Sequence, residues 1–299
     1  MKENYLVEKF GHQRDWVWRG WQIRYSYLKP PFSPNTEKPP ILLIHGFGAS
    51  LHHWRFNISV LAEEYPVYAI DLLGFGASRK ADTEYNTQLW TELIYDFWQT
   101  FINQPMIMVG NSLGSLICVV TAYNYPKIVK KITLLNLPDV TIRQEMIPKI
   151  VQPIIKIIET IFSDPIFLKP LFLILRQPSI LKKCLSMAYI DQSKIDQELI
   201  NIIAIPPQDE NAIKAFIGLC RGVNNVNFAP SMKQILPQLN IPILLIWGLK
   251  DCMIPSSLAS IFAQLNAKIE LVTLENVGHC PQDEIPEKFN QILLNYCKI

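Results

Sequence analysis

The chain has no uninterrupted apolar run of the roughly 18 residues that a bilayer-spanning helix requires. Its opening residues, MKENYLVEKFGHQRDW, lack the apolar centre of a secretory signal. The expected location is therefore intracellular and cytoplasmic, with room for peripheral contact with a membrane. Charge is also scarce. Only 18% of residues are Asp, Glu, Lys or Arg and the net charge is +2, with no basic stripe interleaved with aromatics, so nucleic acid is excluded as the expected partner. C-x-x-C pairs are missing, and the cysteines at 118, 184, 220, 252, 280 and 297 are scattered, which points to reduced thiols rather than a disulfide framework. Internal repeats and low-complexity tracts are absent as well.

What is present is apolar. Hydrophobic residues make up 49% of 299 and mean hydropathy is +0.14, enough to bury a sizeable core. The organising stretch is Met106 to Ser115, MIMVGNSLGS. An apolar strand breaks at Gly110-Asn111-Ser112-Leu113-Gly114, a G-x-S-x-G, and continues into the helix-like SLICVVTAYNYP. A hydroxyl becomes a useful nucleophile when a tight strand-to-helix turn projects it clear of the sheet, and glycines on either side leave room for that turn. The following helix aims its free N–H groups, Leu113's among them, at the place where an oxyanion would form.

The flanking chain supplies the sheet. Asp15 to Tyr27 reads as a hairpin turning at Arg19-Gly20, and Lys29 to Pro40, with five prolines, as loop. Strands are expected at Ile41 to His45, Val67 to Ile70, Met106 to Gly110 and Ile132 to Leu137. Helices are expected at Leu51 to Glu64 and at Thr87 to Ile102, the latter capped by Asn86. From Asp139 to about Pro230 strand signals cease. Ile147, Ile150, Val151, Ile154, Ile155, Ile158, Ile161 and Phe162 then trace one helical face. Alternation resumes with IPILLIW from Ile241, a helix near Ser256 to Leu265, the strand Ile269 to Leu274 and a closing helix Glu284 to Tyr296. The expected fold class is α/β, a doubly wound, mostly parallel sheet. Residues 1–138 and 231–299 form its core, and 139–230 a helical cap inserted between them.

A serine elbow needs a base and an acid from later strand ends of the same sheet. Asp251 follows IPILLIW in WGLKD, and His279 follows the next strand in NVGHCPQDE. The order Ser112, Asp251, His279 is the one this elbow architecture uses. Ser112 would attack an acyl carbon, His279 would carry the proton and Asp251 would hold the imidazole. The backbone N–H of Phe47, after the strand ending at His45, is the expected second oxyanion donor beside that of Leu113. His45 should hold the glycine turn, with His12, His52 and His53 structural. Cys252 and Cys280 adjoin these residues, but their side chains are expected to pack rather than bind a metal. No cofactor is called for.

HGFGASLHHWRFNI, YAIDLLGFGAS, GNSLGS, WGLKD and GHCPQDE together resemble the α/β-hydrolase superfamily across the whole chain except the insertion. Within it, DLLGFGAS, Trp90 with IYDFW, and GNSLG are most similar to the pheophytinase and chlorophyll dephytylase branch of plants and cyanobacteria. That resemblance implies an α/β-hydrolase fold and a serine esterase cleaving the phytyl ester of chlorophyll-type pigments, at or near a thylakoid membrane. GNS and GFG also occur in carbon–carbon bond hydrolases, which remain an alternative, as does a binding protein that keeps the scaffold without turnover. A cap lined by Ile154, Ile158, Phe162, Phe167, Leu171 and Phe172 would make a dry pocket suited to a lipophilic ester. The stretch IFLKPLFLILR at 166–176 suggests shallow contact with a membrane. Oligomeric state is not legible.

Overall fold

The computed structural model describes residues 2–30, 38–139, 164–225 and 227–298. After an N-terminal helix α1 (Lys2–Phe10), strands β1 (His12–Trp18) and β2 (Trp21–Leu28) form the expected hairpin. Arg19 and Gly20 both take positive φ, 52° and 83°, the twist a two-residue hairpin turn needs. Next come β3 (Ile41–Ile44), the short helix α2 (Ile58–Ala62), β4 (Val67–Ile70), α3 (Thr87–Phe97), β5 (Met106–Asn111), α4 (Leu113–Asn124) and β6 (Val129–Leu135). Between β6 and the next strand the described residues form only helices. Four of these, α5 (Pro165–Leu175), α6 (Pro178–Ala188), α7 (Gln197–Ala204) and α8 (Ala212–Asn224), fall in the segment expected to be a cap, and the short α9 (Met232–Ile235) follows. The sheet then resumes with β7 (Ile243–Gly248), α10 (Ser257–Ala263), β8 (Ile269–Leu274), α11 (Pro281–Glu284) and α12 (Pro286–Lys298).

The eight strands make one sheet in the order β1-β2-β4-β3-β5-β6-β7-β8. β1 and β2 pair antiparallel, β2 joins β4 antiparallel, and every later pairing is parallel. Both faces are covered, which the alternation within single strands makes visible. Leu42, Ile44, Met106 and Met108 pack under α3 and α4, whereas Ile41, Leu43, Ile107 and Val109 pack under α2 and α12. The chain runs from β3 outward to β4, then returns to place β5 on the other side of β3. That reversal opens a crevice at the carboxyl ends of β3 and β5, the place where open α/β sheets collect ligands.

Two expected helices differ in form. Leu51 to Glu64 is a 3-10 turn over Leu51–Trp54, a break, and then α2. The break lets Arg55 reach Asp283 at 2.7 Å and Asn57 reach the Gln282 carbonyl at 3.0 Å. The closing helix is split at Ile285, which precedes Pro286 and lies at φ −134°; a residue before proline is pushed out of the helical region. Asn86 caps α3 as expected, its side chain accepting from the Leu89 N–H at 2.9 Å. All six cysteines are free thiols. No helix among the described residues is long and apolar enough to cross a membrane.

The ends of this helical segment are tied to each other and to α3. Asp139 accepts from the Met232 N–H at 3.0 Å where the chain leaves and returns, and Phe228 accepts from the Thr87 N–H at 2.9 Å. Gly222 of α8 lies so close to the Tyr85 carbonyl that a Cβ there would collide with it.

Candidate active site

Ser112 sits between β5 and α4 at φ 53°, ψ −114°, a conformation that costs a non-glycine residue of the order of 1–3 kcal/mol. The glycines of the motif make the turn sterically possible. A Cβ on Gly110 would meet the Gly114 carbonyl, and one on Gly114 would meet the Ile44 carbonyl of β3. Ser115 then fixes the turn to its neighbours, its hydroxyl donating to the Gly110 carbonyl at 2.6 Å and accepting from the Leu135 N–H at 2.9 Å.

His279 follows β8, and its Nδ1 bonds Asp251 Oδ2 at 2.8 Å. Asp251 follows β7, and its side chain is fully buried. Its carboxylate also accepts from the Met253 and Ile254 amides, at 2.7 and 3.0 Å, and from the side-chain amide of Asn136. Burial alone would raise this carboxyl, but the bonds from His279, Asn136 and Ile254 outweigh it and hold Asp251 below the usual aspartate range. With Nδ1–H pointing at Asp251, the imidazole keeps Nε2 free to accept a proton.

Ser112 and His279 both line one cavity of about 400 Å³, within the size range of small-molecule sites. Its walls are almost wholly apolar. Gly46, Phe47 and Phe75 come from the loops after β3 and β4, and Phe172, Leu181, Leu185, Ile203 and Leu219 from the cap helices. Phe47 packs edge-on to Phe75 at 5.4 Å, so an aromatic ring does border the cavity. Leu113 opens α4, where amide N–H groups have no intrahelical partner, while its side chain points into the core.

The expected cap lining is only partly met. Phe172 borders the cavity, but Phe167 and Leu171 are exposed and lie outside its lining. Leu168, Phe172 and Leu175 form the inward stripe of α5, and residues 167 and 171 fall about 100° away from it around the helix. Ile154, Ile158 and Phe162 lie outside the described residues.

Several site residues escape sequence reading. Asn111 donates to the His279 carbonyl at 3.0 Å. Asn136, at φ 51°, turns its amide onto Asp251. The buried Glu284 accepts from Gly278 N–H at 2.8 Å through one oxygen, and from Ile190 and Asp191 N–H at 2.9 and 2.8 Å through the other. His279 N–H itself donates to the Ala188 carbonyl at 2.7 Å. The loop that carries the imidazole is therefore held by the cap. His53, expected to be structural, lines the cavity and bonds the Tyr189 hydroxyl at 2.8 Å. Tyr189 spends its one proton on Asp283, at 2.9 Å, and Asp283 is paired with Arg55. His53 must then be the donor, from Nε2, and burial lowers its pKa and keeps it neutral. Burial also keeps Cys280 protonated, its pKa well above the thiol value, which fits packing rather than reactivity. His45 holds the glycine turn as expected, bonding the Gly46 carbonyl at 2.7 Å and accepting from the Leu72 N–H at 3.1 Å.

Residues 39–150 match the family model described as the alpha/beta hydrolase fold, and the sheet order and both faces of helices agree with it. The chain has the α/β-hydrolase fold. It is similar to the uncharacterized hydrolase YugF of Bacillus subtilis, 28% identical over 88% of this chain and 92% of that protein. It is also similar to the 1-acylglycerol-3-phosphate O-acyltransferase ABHD5 of Rattus norvegicus, 26% identical over 89% of this chain and 79% of that one. Among solved structures, that of a membrane phospholipase A, a bacterial virulence factor, superposes with a TM-score of 0.77 at 24% identity, covering 99% of this chain and 90% of the other. At that identity the likeness speaks for the fold.

Proposed function

We propose that this protein is a serine hydrolase that cleaves a lipophilic carboxylic ester through an acyl-enzyme. The observation that carries the reading is a single apolar cavity bordered by both Ser112 and His279, with His279 bonded to the buried Asp251 at 2.8 Å. Ser112 Oγ attacks the ester carbon and its proton passes to His279 Nε2. The negative charge grows on the carbonyl oxygen, which accepts from the backbone N–H groups of Phe47 and Leu113. The protonated imidazole, stabilised by Asp251, returns the proton to the leaving alkoxide, which departs as the alcohol. Water, losing a proton to the same imidazole, then clears the acyl-enzyme as a carboxylic acid. The described helices α5 to α8 act as a cap that closes the far side of the cavity.

The walls support a long hydrocarbon on one side of the ester, and the phytyl ester of a chlorophyll-type pigment is the specific substrate we put forward. A fluorophosphonate probe tests the chemistry. It should label the wild-type protein and leave Ser112→Ala unlabelled; an unlabelled wild type would favour a binding protein on this scaffold. A substrate panel tests the class. Turnover should rise with chain length across long-chain and phytyl esters, and preference for a vinylogous diketone would instead identify a carbon–carbon bond hydrolase.

A further inference from the structure

Cap helix α5, PIFLKPLFLIL, is apolar around its whole circumference apart from Lys169. Its inward stripe, Leu168, Phe172 and Leu175, meets the interior and the cavity. A second stripe points the other way. Ile166, Leu173 and Ile174 are 73%, 46% and 53% exposed, and helical spacing puts them roughly opposite Leu168 and Phe172. Met187, near the end of the adjoining α6, is 59% exposed. A helix that is apolar on every side belongs inside a protein or against lipid, and a contiguous exposed apolar patch marks an interaction surface.

Charge identifies the partner. From Pro165 to Ile190 there is no Asp or Glu, whereas Lys169, Lys182 and Lys183 are exposed in the same stretch and Arg176 lies half-buried at the cavity. None of these four makes an ion pair among the described residues. Exposed aliphatic side chains flanked by cations suit the boundary between acyl chains and anionic headgroups. A protein partner would need matching acids, and a purely apolar one would leave the lysines without a role.

We propose that the outer face of α5 and α6 docks on an anionic lipid bilayer. The same two helices present Phe172, Leu175, Leu181 and Leu185 to the cavity. Docking therefore brings the cavity within about one helix diameter, roughly 10 Å, of the lipid. A lipophilic substrate then passes from bilayer to Ser112 without crossing bulk water. Only that delivery step rests on the esterase reading; the docking does not.

The test is co-sedimentation of full-length Ser112→Ala protein, which isolates docking from turnover, with vesicles of phosphatidylcholine alone and of phosphatidylcholine mixed equally with phosphatidylglycerol. Binding is expected to the mixed vesicles, to weaken in high salt, and to be small on phosphatidylcholine. Lys182→Gln/Lys183→Gln should lower partitioning about 25-fold, taking about fivefold per basic residue at such a surface. Leu173→Ser/Ile174→Ser, which adds polarity at exposed positions, should abolish binding while leaving hydrolysis of a short soluble ester by the Ser112 protein unchanged. Equal binding to both vesicle types, no binding at all, or a concentration-dependent dimer that Leu173→Ser/Ile174→Ser dissolves would each overturn the proposal.

Discussion

Acidification should loosen the turn at the mouth of the cavity through His45. This ring is fully buried and makes two bonds of fixed sense. Its Nδ1–H donates to the Gly46 carbonyl and its Nε2 accepts from the Leu72 N–H. A second proton would face the Leu72 donor with another donor, and it would place a charge where no water reaches. Burial accordingly pushes the pKa of His45 from 6.5 down to about 4. Between those values the unfolded chain binds more protons than the folded one. The stability present above about pH 6.5 is thus lost as pH falls through the folded value. At about 1.4 kcal/mol per pH unit, His45 alone costs the folded state roughly 3 kcal/mol by pH 4. Urea unfolding of wild type and His45→Gln across this range separates that share from His52 and His53, whose pKa values burial also lowers. At pH 7 the variant should be the less stable by about 1–2 kcal/mol, for lost hydrogen bonds. Towards pH 4 the gap should close and reverse, because the variant has no ring to charge. Parallel stability curves from pH 7 to pH 4 would refute the reasoning.

Asn136→Gly keeps a residue suited to φ 51° but removes the amide that donates to Asp251. The Asp251 carboxyl should titrate closer to the ordinary aspartate value, and turnover of a short ester should fall about 10-fold or more with KM little changed, as expected for a charged hydrogen bond of about 1.5–3 kcal/mol. The acid limb of the kcat profile is the measurement that separates this from simple loss of packing. Glu284→Gln replaces an acceptor of three backbone N–H groups, two on one oxygen and one on the other, with a side chain that has one oxygen, so at least one of those donors faces an amide NH2 instead of an acceptor. Its melting temperature should drop, and kcat should fall more than KM rises; an unchanged kcat would mean that the His279 loop keeps its place without this carboxylate.

The parallel part of the sheet was legible because β3 to β7 each centre on a short apolar run ended by a polar residue or glycine, and parallel strands buried on both faces leave that signature. The candidate site was legible for a related reason. Ser112 directly follows β5, and Asp251 and His279 lie in the loops after β7 and β8, so parallel strands carry all three to one rim. Asn136 also follows a strand, in LLNLPD, and a polar residue interrupting an apolar run at a strand's carboxyl end was the signal that could have found it. Glu284 and Tyr189 left no such trace. Their partners lie about 90 residues away in sequence, and nothing in PQDE or AYID tells a buried acceptor from a solvated one. The cap lining misled for a different reason. Where α5 is apolar on every side, its sequence has no polar face to mark which stripe turns inward, so Phe167 and Leu171 were as plausible as Phe172.

That ambiguity and the proposed lipid face have one cause. A cap over an aqueous substrate site would be expected to show apolar residues inward and polar residues outward, because water selects the second stripe as strongly as the core selects the first. Here water has not selected it, since Ile166 and Ile174 stay out and the lysines beside them make no ion pair among the described residues. The Ala188–Asp191 segment, by contrast, is bonded through Ala188, Tyr189, Ile190 and Asp191 to the loop and short helix around His279. Movement there would draw the imidazole away from Ser112, so any opening compatible with chemistry has to leave this segment, and with it the end of α6, in place. α5 ends before that anchor and carries most of the lipid-like surface, so contact with a bilayer would act on a part of the cap that makes none of these bonds to the His279 loop.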